Sequence, residues 1–199
     1  MIIILVFILI DDMLMKTTIL PAAIFAVIIV CFITMQEANI NSDALTNMNN
    51  RRKADEHLVA EMNTVSETQP LYLFIGDIDH FKGINDNYGH LEGDDALILC
   101  AETLKHLAIR HGGFAARFGG DEFLVSIRTA NHAGKPAFDP EAVIKEINDE
   151  LKRKVEVYNK PYSLSMTVGY ARCTDRSESI KTYFSVADEM LYSRKAGKR

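Results

Sequence analysis

Hydrophobic positions along this chain fall into three rhythms. Met1 to Ile10 and Thr17 to Met35 are nearly unbroken apolar runs, separated by a stretch holding Asp11, Asp12 and Lys16. Leu71-Tyr72-Leu73-Phe74-Ile75 is a short continuous run, which predicts a strand buried on both faces. Helical periodicity governs much of the rest. Leu97, Cys100, Ala101, Leu104 and Leu107 share one face of a helix from about Glu92 to Arg110, and Val143, Ile147 and Leu151 stripe another from Pro140 to Tyr158. Further helices are predicted over Thr46 to about Val65 and Ile180 to Lys195, and Ser163 to Arg172 alternates as a strand does. Phe114-Ala115-Ala116 and Leu124-Val125-Ser126-Ile127 flank Gly119-Gly120, giving strand, tight turn, strand. His80 to His90 is polar and turn-forming, and 129–140 reads as a loop. Helices alternating with strands around a hairpin predict an α/β fold, a mixed central sheet flanked by helices with at least one antiparallel pair.

The first two runs predict an N-terminal transmembrane helix. A span needs roughly 20 apolar residues. Thr17 to Met35 qualifies and Met1 to Ile10 is too short, unless it is the remnant of a larger membrane domain. Residues 1–36 therefore read as a membrane anchor spanning about 17–35, residues 37–42 as a short linker, and 43–199 as the globular domain. Arg51, Arg52 and Lys53 follow the run, so the positive-inside rule puts that domain in the cytoplasm, at the inner membrane. A cleaved signal peptide is the competing reading.

Composition narrows the function. The 199 residues are 48% hydrophobic and 25% charged, ordinary for a folded domain, and the net charge of -5 argues against a nucleic-acid duplex as partner. Cys31, Cys100 and Cys173 are odd in number and lack C-x-x-C spacing, so neither zinc nor a disulfide framework is indicated.

Candidate chemistry concentrates at two places. The buried run delivers Asp77-Ile78-Asp79 at its end, and Asp121-Glu122 follow the glycine pair, so carboxylates gather at one edge of the sheet. Adjacent strand residues point to opposite faces, so Asp121 and Glu122 need not share a role. Carboxylates with a backbone carbonyl, such as that of Ile78, suit Mg²⁺ or Mn²⁺ and not zinc. There is no P-loop and no G-x-G-x-x-G. Phosphates would meet the Gly119-Gly120 turn, backbone amides and the cations Lys82, Lys195 and Arg199. Asn85 with Asp94 could read guanine, an amide for its acceptors and a carboxylate for N1–H and the 2-amino group. Turn formation by Asn85 and helix capping by Asp94 is the alternative, which composition alone favours.

Four blocks in order resemble the GGDEF family of diguanylate cyclases. Asp43-Ala44-Leu45-Thr46-Asn47-Met48-Asn49-Asn50-Arg51-Arg52 resembles D-x-L-T-G-L-x-N-R-R, with Asn47 for the usual glycine. Asp77 to Asp94 resembles D-[IL]-D-x-F-K-x-I-N-D-x-x-G-H-x-x-G-D without a gap, Arg117 to Phe123 carries the namesake motif, and Ala187 to Lys195 resembles the closing helix. The resemblance implies a palm-like, nucleotide-cyclase-like sheet whose hairpin carries the active site. It implies condensation of two GTP molecules to cyclic di-GMP and pyrophosphate across a homodimer, with no nucleic-acid partner. By the same resemblance Asp77, Asp121 and the Ile78 carbonyl hold the metal, and Asp121 or Glu122 deprotonates the 3′-hydroxyl. Lys82 stabilises the transition state, Asn85 and Asp94 contact guanine, His90 contacts substrate, and Lys195 and Arg199 bind phosphate.

Two departures stand out. Where the family reads K-x-x-G-R, this chain reads Lys195-Ala196-Gly197-Lys198-Arg199. At the family's product-inhibition motif R-x-x-D it reads Arg110-His111-Gly112-Gly113, so product inhibition through that site is expected to be weak or absent. Two other functions compete with the cyclase: a non-catalytic GTP-binding regulatory module, and a palm-like enzyme of other nucleotide specificity.

Overall fold

The structure is a computed structural model that describes residues 2–130 and 137–197, the side chains of 2, 14–18 and 33–40 excepted. Part of the expected loop 129–140 and the expected phosphate ligand Arg199 lie outside the described residues. The chain divides into two compact units, Met1–Asn41 and Ser42–Arg199.

The first unit is a single helix, α1 (Ile2–Asn41), with Pro21 inside it. It does not bear out the expected anchor. No helix among the described residues is long and apolar enough to cross a membrane. Asp11, Asp12 and Lys16 interrupt the apolar pattern of α1. The transmembrane helix over 17–35 is therefore corrected, and the inner-membrane placement and the membrane as a partner lose the segment they rested on.

The second unit is built on a five-stranded mixed sheet of order β1-β3-β4-β2-β5. Its strands are β1 (Asn49–Asn50), β2 (Leu71–Ile78), β3 (Phe114–Gly119), β4 (Glu122–Arg128) and β5 (Met166–Cys173). Among the described residues only β1 and β3 pair in parallel; β2 pairs antiparallel with both β4 and β5. The expected central strand is thus β2, with a neighbour on each side, which is why its sequence is continuously apolar.

Helices cover both faces. Tyr72, Phe74 and Ile78 of β2, with Phe123, Val125 and Ile127 of β4, join the core under α3 (Phe81–Tyr88), α4 (His90–Arg110) and α5 (Pro140–Val157). On the opposite face Leu71 and Leu73 pack with Leu124 and with Ala54, Leu58 and Met62 of α2 (Arg51–Met62), while Ile75 and Ala171 pack with Ala187 and Leu191 of α6 (Ile180–Gly197). Helix α6 approaches β5 very closely. A Cβ on Gly169 would lie 2.0 Å from the Ala187 carbonyl oxygen and 2.5 Å from the Leu191 nitrogen. Those are backbone atoms, so only glycine allows this seat.

Two elements differ from expectation. His80 to His90, read as turn-forming, contains the helix α3, entered through His80 in the left-handed region (φ 56°). The helix expected from Thr46 starts only at Arg51, capped by Asn50, whose side chain accepts from Lys53 N at 3.1 Å. Before it, Asn47 sits at φ 51°, a conformation that glycine or asparagine tolerates best.

Candidate active site

The turn is shifted by one residue from the tight Gly119-Gly120 turn expected. Gly119 still pairs with Glu122, and the two-residue turn is Gly120-Asp121, with a bulge between Arg117 and Gly119. Both glycines have positive φ, 137° and 55°, and a Cβ on either would meet nothing within 4 Å. Backbone geometry therefore demands glycine here, and the outer face of the turn is open. Glu122 begins β4 and is exposed, whereas Asp121 lies in the turn and is half-buried. Strand alternation consequently governs Glu122 but not Asp121. Phe123 and Leu124, both almost fully buried, anchor the strand into the two cores. Burying a side chain of this size contributes roughly 2–3 kcal/mol.

Arg117 braces the turn. Its Nε and Nη2 donate to the Gly120 carbonyl at 3.0 and 2.7 Å, and its Nη1 donates to Asp43 Oδ1 at 2.8 Å. Asp43 also accepts from Thr46 N at 2.9 Å and from Thr46 Oγ1 at 2.7 Å. Residue-type reading gave neither Arg117 nor Asp43 a role. The available signal was an arginine two residues before a glycine turn, within reach of that turn's carbonyl.

Opposite the turn, the end of β2 brings Asp77 into register with Glu122, and Ile78 N donates to the Asp121 carbonyl at 3.3 Å. Lys195, from the last turn of α6, places Nζ 2.6 Å from Asp77 Oδ1. Burial raises the pKa of Asp77 most; the bond from Lys195 opposes this, while the charges of Asp121 and Glu122 raise it further. Three acids and a lysine therefore share one electrostatic neighbourhood. Asp79 does not join it. Its carboxylate accepts from Ser165 Oγ at 2.6 Å and from Thr167 Oγ1, tying the end of β2 to β5.

Among the described residues, no three or more His, Cys, Asp or Glu side chains are grouped to hold a metal ion by themselves. The donors at hand are the Asp77 and Asp121 carboxylates with the main chain of Ile78 beside them. This set fits a hard cation that takes its remaining ligands from substrate phosphates, as Mg²⁺ commonly does.

The other predicted residues follow directly on β2. Lys82 is exposed on the first turn of α3, and His90 is exposed at the start of α4. Asn85 lies inside α3 and Asp94 inside α4, whose N-cap is Gly89, so Asp94 is not the helix cap and Asn85 is not a turn residue. The Asn85 amide rests against α4 at Gly93, next to Asp94.

Residues 40–199 match the family described as "Diguanylate cyclase, GGDEF domain". The chain belongs to the GGDEF domain family. Its similarity to "Diguanylate cyclase A" of Treponema denticola is 32% identity over 145 residues, covering 72% of this chain and 38% of that protein. "Diguanylate cyclase DgcP" of Pseudomonas aeruginosa is 34% identical over 161 residues, covering 79% of this chain and 23% of the relative. The chain thus spans well under half the length of these relatives. Among solved structures, the GGDEF domain of DgcB from Caulobacter crescentus, in complex with c-di-GMP, superposes with a TM-score of 0.63 at 29% identity, covering 80% of this chain and 92% of that one. The GGDEF fold accounts for the mixed sheet and the hairpin seen here.

Proposed function

We propose that this GGDEF domain is a diguanylate cyclase that condenses two GTP molecules to cyclic di-GMP with release of pyrophosphate, each of two identical domains holding one GTP. The observation that carries this reading is the meeting of Asp77, Asp121, Glu122 and Lys195 at the open glycine turn. In each of two equivalent steps, a 3′-oxygen attacks the α-phosphorus of the other nucleotide. A new P–O bond forms, the bond to pyrophosphate breaks, and the 3′-hydroxyl proton passes to a carboxylate. Asp121 takes that proton in this reading, with Glu122, the first residue of β4, as the other candidate. Lys195, released from Asp77, meets the phosphates; Lys82 faces the developing charge; Asn85 and Asp94 hold guanine and His90 contacts the substrate. Asp77, Asp121 and the Ile78 carbonyl would hold Mg²⁺ or Mn²⁺, which when bound neutralises phosphate charge and favours an ionised hydroxyl.

The test is to incubate the purified full chain with GTP and Mg²⁺ and follow cyclic di-GMP by chromatography, with ATP as comparator. Cyclic di-GMP from GTP and no cyclic product from ATP is the expected result. GTP that binds and is recovered intact at high protein concentration would instead identify a non-catalytic regulatory module.

Product control follows the altered R-x-x-D. Arg110 and His111 both engage Glu146, His111 Nε2 at 3.0 Å. A Cβ on Gly113 would lie 2.3 Å from the Ser126 carbonyl oxygen, a backbone atom that cannot yield cheaply. Added cyclic di-GMP is therefore expected to give no tight noncompetitive inhibition. Gly113→Asp should lower stability by roughly 1–3 kcal/mol in a urea titration, as overpacking does, without installing inhibition.

A further inference from the structure

Gly93 is buried in the first turn of α4, and the Asn85 amide from α3 lies across the place where its side chain would be. A Cβ at position 93 would stand 2.0 Å from Asn85 Oδ1, 2.9 Å from Cγ and 3.4 Å from Nδ2. The three nearest atoms all belong to Asn85, so the closest conflict is with this one amide. Helix propensity gives no reason for glycine inside α4, since alanine is preferred there. The requirement at 93 is for space.

We infer that Gly93 is a positioning residue for base recognition: the missing side chain lets the Asn85 amide lie against α4 at Gly93, the residue before Asp94. The inference rests on the reading of Asn85 and Asp94 as guanine contacts. The group that must yield to a Cβ is the tip of a side chain, not backbone, and α3 and α4 remain packed through Ile84, Ala96 and Leu97 in the main core. A methyl group at 93 therefore displaces the amide and leaves the helices in place. The effect appears in discrimination between bases and not in the fold. The chemistry at the glycine turn, carried by other residues, is untouched.

The experiment uses the full chain in four forms: wild type, Gly93→Ala, Asn85→Ala and the double variant. Each is assayed with GTP and with 6-thioguanosine triphosphate, in which sulfur, a poorer acceptor, replaces the O6 that an amide would contact, and each is melted. Gly93→Ala should raise KM for GTP about tenfold, the loss of one good hydrogen bond, with kcat changed by less than about threefold. Its preference for GTP over 6-thioguanosine triphosphate should fall toward that of Asn85→Ala, with little change in melting temperature. The double variant should be no worse than Asn85→Ala alone, because the clash is gone. An unchanged KM and base preference in Gly93→Ala, or full additivity in the double variant, overturns the inference. If Gly93→Ala fails to fold and the double variant folds, the conflict with Asn85 is upheld; if neither folds, Gly93 serves backbone packing and the inference fails. Should Asn85→Ala itself keep the wild-type base preference, the fault lies with the guanine reading of Asn85, a result distinct from failure at Gly93.

Discussion

Asp121→Asn should abolish cyclic di-GMP formation while leaving the domain folded. Removing a positioned proton acceptor costs roughly 10²–10⁴-fold in rate, and this residue is also a candidate ligand of the divalent ion. Its structural contribution is made by backbone: the Asp121 carbonyl accepts from Ile78 N, and the Gly120 carbonyl accepts from Arg117. Both bonds survive the substitution. The change in stability should even be slightly favourable at neutral pH. Asp77 has a pKa raised first by burial, then also by the charges of Asp121 and Glu122, against the opposing bond from Lys195. A carboxyl that binds its proton more tightly when folded lowers stability as pH rises through the raised value. Removing the Asp121 charge lessens that loss. A thermal melt at neutral pH that is level or slightly raised, together with a flat product trace, is the expected pair. More than about a tenth of wild-type turnover would be incompatible with a proton-transfer role, for which the loss is at least 10²-fold, and would direct attention to Glu122→Gln.

Arg117→Ala carries the largest expected loss of stability. The side chain is only 10% exposed and its partner Asp43 24%, so truncation strips a half-buried carboxylate of its cation, leaving it the Thr46 bonds alone, and takes both Arg117 donors from the Gly120 carbonyl. Hydrogen bonds to charged groups contribute about 1.5–3 kcal/mol, and removing one member of a sheltered pair costs at the upper end of that range. A loss of roughly 3 kcal/mol in urea unfolding is expected, with turnover falling because the turn loses its brace. Lysine should rescue little, since one ammonium cannot span both partners as the guanidinium fork does. The pH dependence has a defined sign. Burial pushes the Asp43 carboxyl up, but the bonds from Thr46 and Arg117 outweigh it and hold the pKa below its ordinary value. That stabilisation is present above the unfolded carboxylate pKa and is lost as pH falls through the depressed folded value. Wild type should therefore lose more stability on acidification below the ordinary aspartate range than Arg117→Ala does. Equal slopes in the two proteins would count against Asp43 and Arg117 as a working pair.

The elements legible in the sequence are those with strong apolar signatures. Leu71 to Ile75 announced the central strand because both faces are buried, and Val143, Ile147 and Leu151 announced α5 because one stripe alone faces the core. Strand β1 was invisible: it is two asparagines at the sheet edge, with no apolar pattern to read. Helix α3 was hidden because only Ile84 of its eight residues is buried and Gly83 interrupts it. At the site, the meeting of Asp77 with the hairpin acids could be anticipated from strand ends. The contrast between Asp77 and Asp79 could not, since it depends on Ser165 and Thr167 arriving from far along the chain. The apolar N-terminal runs suggested a span, but α1 as described offers no stretch long and apolar enough to cross a membrane.

The glycine seat of α6 bears on how fast the site can respond. Because helix and strand touch backbone to backbone at Gly169, α6 has no side-chain cushion over which to slide, and Lys195 is one turn beyond that contact. Exchange of its ammonium between Asp77 and an incoming phosphate is then a matter of rotamers. Such motions take picoseconds to nanoseconds, whereas helix shifts take microseconds or longer. On the proposed phosphate role of Lys195, no gating step is needed for it to leave Asp77.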